Sequence, residues 1–398
     1  MNRRPLHPAL LYPVAIAVGV AIYALSNLIE PPADRLLNFG INYAQMSEDP
    51  FGLLGKFPQR IFSPLLANLL GLTGERFAWF AQGCMVGLIA TWFAAAHLLG
   101  ATLLQSLVLS AVLAFTGAVQ LFKGHLGYPD PMTFLLLTAT IVARRRPWLF
   151  WSLLFVNAMH HEQIFFFWPW LLWWRHRLPD ARWRADLLGG VLVFGLYVAW
   201  RLYVGAHAAK QELTMSHYAA LDYFPWGTLG LASLNLLSTF IWFGVLPITI
   251  AWHGFVDGWR RAGIGILLLL ACQHAVFGVA HDVYRFTCFL FVPLMFAFLR
   301  LFRERFGTLI VLALGAVTVL AIELQKPVFV EIGTAVLTKN TANGPIVRPD
   351  IVHDILTDVV PTYWATFAAY GAALAATIAI GWRWASLSRR RAALEPST

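Results

Sequence analysis

Carboxylates, imidazoles and guanidinium groups are the side chains that could do chemistry here, and they gather in five short polar groups between apolar stretches. The first holds Glu30, Asp34, Glu48 and Asp49, followed by Lys56, Gln59 and Arg60. The second reads Lys123-Gly-His125-Leu-Gly-Tyr128-Pro-Asp130-Pro131. The third is His160-His161-Glu162-Gln163, and the fourth is His281-Asp282-Val-Tyr284-Arg285. The fifth, with His207, Lys210, Glu212, His217 and Asp222, has the polarity of an ordinary surface loop. A carboxylate can act as a general base, and guanidinium or ammonium groups can hold a phosphate. Histidines beside acids could bind zinc, but the spacing matches no ligand motif, and neighbours such as His160 and His161 cannot both face inward from one helix. A nucleophile turn and a phosphate-binding glycine loop are both missing from the sequence.

Each group also has a plainer reading. Asp130 before Pro131 fits a helix N-cap with proline at the first helical position. Asp282 and Arg285 could pair at i,i+3 simply to close a helix end. The group from His160 to Gln163 resists that treatment. Apolar sequence flanks it closely on both sides, and ionisable groups at such depth usually face a polar cavity.

The elements that must position these groups follow from composition. Of 398 residues, 59% are hydrophobic and 12% charged, about half the charged share of an ordinary soluble domain. The sequence therefore predicts an all-α integral membrane protein with about twelve spans. These fall at roughly 9–29, 77–98, 101–121, 131–143, 147–159, 163–175, 185–204, 228–253, 263–280, 286–301, 308–324 and 362–383. Three central segments are short for a bilayer core of about 30 Å. Ile61 to Leu72 is shorter still and fits an amphipathic helix lying at the surface. The whole chain, 1–398, reads as one polytopic domain with outer loops at 30–76, 206–226 and 325–361. Cys84, Cys272 and Cys288 sit in apolar segments and read as buried free thiols.

The net charge of +9 invites a nucleic-acid reading until its distribution is mapped. Basic runs at Arg144 to Arg146, Arg175 and Arg177, Arg182 and Arg184, Arg260-Arg261, Arg300 to Arg305, and Arg389 to Arg391 all fall on one side of the predicted topology. By the positive-inside rule that side is the cytoplasm, which also takes both termini. The charge thus reports topology, and no nucleic-acid partner is expected. Arginine far outnumbers lysine, which points to a GC-rich bacterial genome and so to the plasma (inner) membrane. The third and fourth polar groups and most acids then face outward, where an active site built from the long outer loops would lie.

In layout the chain resembles the multi-spanning glycosyltransferases of the GT-C type. The resemblance rests on Asp34 just past the first span, on Gln59-Arg60-Ile-Phe-Ser-Pro64 opening an interfacial helix, and on Tyr128-Pro-Asp130-Pro-Met-Thr-Phe134. It rests also on the stretch from Asn157 through His161 and Glu162 to Pro169, and on His281 to Arg285. It implies a GT-C-like arrangement with interfacial helices in the first outer loop. It further implies a sugar donor carried on a polyprenyl phosphate and a glycan, lipid or protein acceptor. Asp34, Glu48 and Asp49 compete for the base role. Arg285, Arg60 and Lys123 would stabilise the departing phosphate. Asp130, His160, His161, Glu162, His281 and Asp282 complete the set of substrate-binding candidates. No cofactor is strictly needed for a monophosphate leaving group. Two further readings come from other classes: a secondary transporter, and a metal-dependent lipid hydrolase or transferase using the histidines with a divalent ion.

Overall fold

The computed structural model describes residues 6–37, 39–53, 55 and 57–208, and beyond them 243–247, 249–250, 285, 287–303 and 307–339 with scattered single positions. Two compact units divide the chain, Met1–His217 and Tyr218–Thr398. Every regular element among the described residues is a helix.

In the first unit α1 spans Pro8–Asn27, with His7 accepting the Ala9 amide and proline at the first position. Two short helices follow in the first loop, α2 (Phe39–Glu48) and α3 (Phe62–Leu69). Then come α4 (Phe77–Leu98), α5 (Leu103–Ala114), α6 (Gly117–Gly124), α7 (Asp130–Val142), α8 (Pro147–His160), α9 (Ile164–His176) and α10 (Trp183–His207). Thr102 and Gln105 close a reciprocal capping box that starts α5. Among the described residues four stretches are long and apolar enough to cross a membrane: Pro8–Asn27, Gly74–Leu98, Leu103–Gly124 and Trp183–His207.

Helix α4 is the hub, packing on α1, α5 and α7, while α8 packs on α3, α7 and α10. Met85, Leu88, Ile89, Trp92 and Phe93 of α4 are buried. Gly19 allows the close approach of α1, since a Cβ there would lie 2.8 Å from the Val86 carbonyl oxygen. Helix α10 behaves oppositely. Leu187, Leu188, Val191 and Leu192 are exposed, as residues facing hydrocarbon would be.

The three central helices have the predicted short length. At 13 or 14 residues each rises about 20 Å, less than the hydrocarbon thickness of about 30 Å. A short helix, α3, lies within the predicted bounds 61–72. In the second unit, Phe291–Leu301 is helical, and a second helix runs over Gly307–Lys339. That helix continues through 325–339, which the sequence assigned to an outer loop. Leu324, Gln325 and Lys326 are good helix formers, so a drop in hydropathy there does not break the backbone. Residues 209–226, within the predicted loop 206–226, lie outside the described residues. Cys84, Cys272 and Cys288 are buried, as predicted.

Candidate functional site

Two ends of the first unit differ in chemistry. Helix α8 begins after Arg146 and ends at His160, so the arginine run 144–146 and the group 160–163 stand about 20 Å apart at its opposite ends. Arg175 and Arg177, at the end of α9, and Arg182 and Arg184, at the start of α10, share the end that holds Arg144.

The other end carries the candidate site. His160 is the last residue of α8, and His161 leaves the helix with φ −155° and ψ 122°. That turn of the backbone corrects one expectation. Both imidazoles are buried, 0% and 2% exposed, because only one of them belongs to the helix. The His160 Nε2 lies 2.7 Å from the Pro129 carbonyl oxygen, which can only accept, so Nε2 carries the proton. Nδ1 is then the acceptor for the Ser63 hydroxyl at 2.9 Å. This chain of bonds ties α3, the α7 start and the α8 end together. His161 Nδ1 accepts the Gln163 amide at 3.3 Å and shapes the turn into α9.

Glu162, in that turn, meets Arg60, which stands just before α3. The guanidinium grips the carboxylate with two bonds, Nη2 to Oε1 at 2.8 Å and Nε to Oε2 at 3.0 Å. Side-chain exposure is 12% for Arg60 and 24% for Glu162. Burial works to raise the Glu162 carboxyl, but Arg60, the residue's own backbone N–H and Arg201 outweigh it and hold it at about 2. For Arg60, burial opposes the charged form, and Glu162 overcomes it, with Tyr43 adding to the effect. The guanidinium also lies over the Phe57 ring at 4.3 Å.

Three residues beside this pair are not among the candidates named from the sequence. Arg201 and Tyr197, on α10, lie within electrostatic reach of Glu162. Trp200 donates its indole N–H to the Gln59 carbonyl oxygen at 2.9 Å, fixing the strand of chain that leads into Arg60. An arginine inside an apolar span is itself the signal that points to Arg201. The side-chain carbonyl oxygens of Gln59 and Gln163 are buried and make no hydrogen bond to any described residue. With two cations against one carboxylate, the cluster of Arg60, Glu162 and Arg201 carries excess positive charge.

No family model, curated protein or solved structure matches this chain. Its functional reading therefore rests on the geometry.

The remaining predicted residues sort as follows. The stretch carrying Asp34 docks on the turn after α6: Ala33 donates to the Lys123 carbonyl oxygen at 2.9 Å, and Phe39 and Tyr128 rings meet at 5.2 Å. Asp34 itself is exposed. Glu48 and Asp49 lie at the far end of α2, about 15 Å along its axis from Phe39. The Asp49 carboxylate there accepts the Gly52 amide at 3.0 Å, and Glu48 faces Gly74. Lys123 is buried, donating to Ser26 Oγ at 2.6 Å and to the Glu30 carbonyl oxygen at 3.0 Å. It thus fastens the end of α1 to α6. Asp130 is fully buried in the first turn of α7, and Pro129 takes the cap position predicted for it, without a side-chain capping bond. The cap is displaced because Pro129 already has helical backbone angles, so the helix starts one residue earlier.

Asp34, Lys123, Asp130, His160, His161, Glu162 and Arg60 therefore belong to segments that touch one another at one end of the first unit. Arg285 is buried in the second unit. His281 and Asp282, and Lys56 in the first loop, lie outside the described residues. Among the described residues no group of three His, Cys, Asp or Glu side chains is placed to hold a metal ion.

Proposed function

We propose that the chain is a membrane-embedded glycosyltransferase of the GT-C type, moving a sugar from a polyprenyl-phosphate donor to an acceptor hydroxyl at the extracytoplasmic face. The reading takes the twelve predicted spans, with both termini in the cytoplasm and the protein in the plasma membrane. One observation carries it: the largely buried Arg60–Glu162 pair, with Arg201 beside it, forms a net positive centre next to apolar sequence. Such a centre suits a phosphate held at the membrane surface. The buried amide oxygens of Gln59 and Gln163 suit hydroxyl donors, as a sugar would supply.

In this reading the acceptor oxygen bonds to the anomeric carbon while the bond from that carbon to the phosphate oxygen breaks. The electron pair leaves with the polyprenyl phosphate. Asp34 takes the acceptor proton. Its stretch packs on the turn leading to Pro129, whereas Glu48 and Asp49 lie at the far end of α2 with Asp49 already bonded. Arg60, aligned by Glu162, and Arg201 offset charge growing on the phosphate, and a water-poor setting strengthens both. His160 and Lys123 position the site through Ser63, Pro129 and the end of α1 rather than by meeting the donor.

The test is sugar transfer from a labelled lipid donor by purified variants. Asp34→Asn is expected to abolish transfer, with Glu48→Gln and Asp49→Asn retaining it. Full activity in Asp34→Asn would remove the proposed base.

A further inference from the structure

A second feature lies at the arginine-rich end of the first unit and stands independently of the sugar-transfer reading. Between α10 and the helices α8 and α9 runs a groove of about 560 Å³. Its walls are Trp151, Trp168, Leu172, Val191 and Phe194, with Gly195 at one end. From Asp186 to Gly195 it follows α10 for about 13 Å. It opens among side chains of α10 that are exposed and apolar: Leu187, Leu188, Val191 and Leu192 are 59–70% exposed. Such a face suits contact with hydrocarbon.

Gly189 lets α10 lie against Trp151, because a Cβ there would come within 2.4 Å of the indole nitrogen. At Gly195 a Cβ would meet nothing within 4 Å, so a larger side chain there has open space to occupy. At the other end the charge of Asp186 is already answered. It accepts from Arg175 Nε at 2.7 Å, lies 3.2 Å from His176 Nε2, and receives the Trp151 indole N–H at 3.3 Å. Among the described residues next to that end in the chain, 176–190, Arg177, Arg182 and Arg184 are exposed, and Asp180 is the one exposed acid.

We infer that this groove, apolar along α10 and flanked in the chain at its Asp186 end by the exposed Arg177, Arg182 and Arg184, binds one hydrocarbon chain of an anionic phospholipid whose headgroup phosphate meets those arginines. The apolar walls select hydrocarbon, and the excess of exposed positive charge selects an anionic headgroup. The space falls within the range of about 300–1,000 Å³ typical of small-ligand sites.

The experiment uses the full chain in bilayers of equal parts phosphatidylglycerol and phosphatidylcholine, released and weighed by native mass spectrometry. The expected result is one phosphatidylglycerol adduct per chain that outlasts any phosphatidylcholine adduct. Gly195→Phe, which fills the groove where nothing stands in its way, should reduce that adduct several-fold. Gly195→Leu serves if the larger side chain impairs folding. The combined variant Arg177→Gln, Arg182→Gln, Arg184→Gln should reduce it to a similar degree. Equal retention of phosphatidylcholine would overturn the anionic assignment. An adduct that survives groove filling, or is lost only with the arginines, would place the lipid on the outer surface and overturn the groove.

Discussion

Glu162→Gln keeps the size of the side chain and removes the charge facing Arg60, which makes it the sharpest perturbation of the site. At 2.8 Å the gross attraction is about 6 kcal/mol for an effective dielectric of about 20. Much of this is offset by the desolvation of two charges that are mostly, but not wholly, out of solvent. Two charge-assisted bonds held in one fork leave a net coupling of about 2 kcal/mol. Removing one partner alone should cost more, about 2–4 kcal/mol, because the other charge stays behind. The single variants Arg60→Met and Glu162→Gln and their combination should therefore be compared by reversible unfolding in mixed detergent. The double variant is expected to be less destabilised than the two single effects added together, by about 2 kcal/mol. Strict additivity would show that the pair is not formed in the folded protein, and the anion-binding argument would fall with it.

The same pair predicts a pH dependence. Glu162 titrates near 4.5 without its partners and at about 2 in the fold. Its stabilising contribution is thus fully present above pH 4.5 and is lost as pH falls toward 2. Wild-type protein should lose stability relative to Glu162→Gln across that window, and parallel curves would contradict the assignment. His160→Ala should cost about 3 kcal/mol, since it opens a cavity and strands the Pro129 carbonyl and Ser63 hydroxyl; a thermal midpoint unchanged from wild type would refute the bonded chain. Gly40→Ala places a Cβ 2.3 Å from the Leu126 carbonyl oxygen and should loosen the first loop from the turn after α6, at about 1–3 kcal/mol. Proteolysis within residues 30–60 should then speed up, and an unchanged cleavage rate would argue against that docking.

Helix type and length were readable in the sequence wherever one signal dominated. Arginine runs and turn residues bracketed the three short helices α7, α8 and α9, so their extents came within a residue or two of prediction. The segregation of the arginines from the 160–163 group was equally legible, because a helix fixes which ends lie apart. Arg201 and Tyr197 were hidden by the averaging that finds spans, which counts one arginine in twenty apolar residues as noise. Local conformation was the other blind spot. Burial of both His160 and His161 depends on the chain leaving the helix between them, and no residue there announces it. Partnership was hidden as well: Arg60 and Glu162 are 102 positions apart, and nothing local in either segment names the other.

The central claim, that the Arg60–Glu162 end handles a lipid-linked sugar phosphate, is tested most directly by incubating the purified protein with a panel of labelled polyprenyl-phosphate sugars. Transfer of the sugar, with one polyprenyl phosphate released per sugar moved, is the expected result for at least one donor, and Arg60→Met should abolish it. Release that persists in Arg60→Met, or no donor in the panel consumed by folded wild-type protein, would contradict the account.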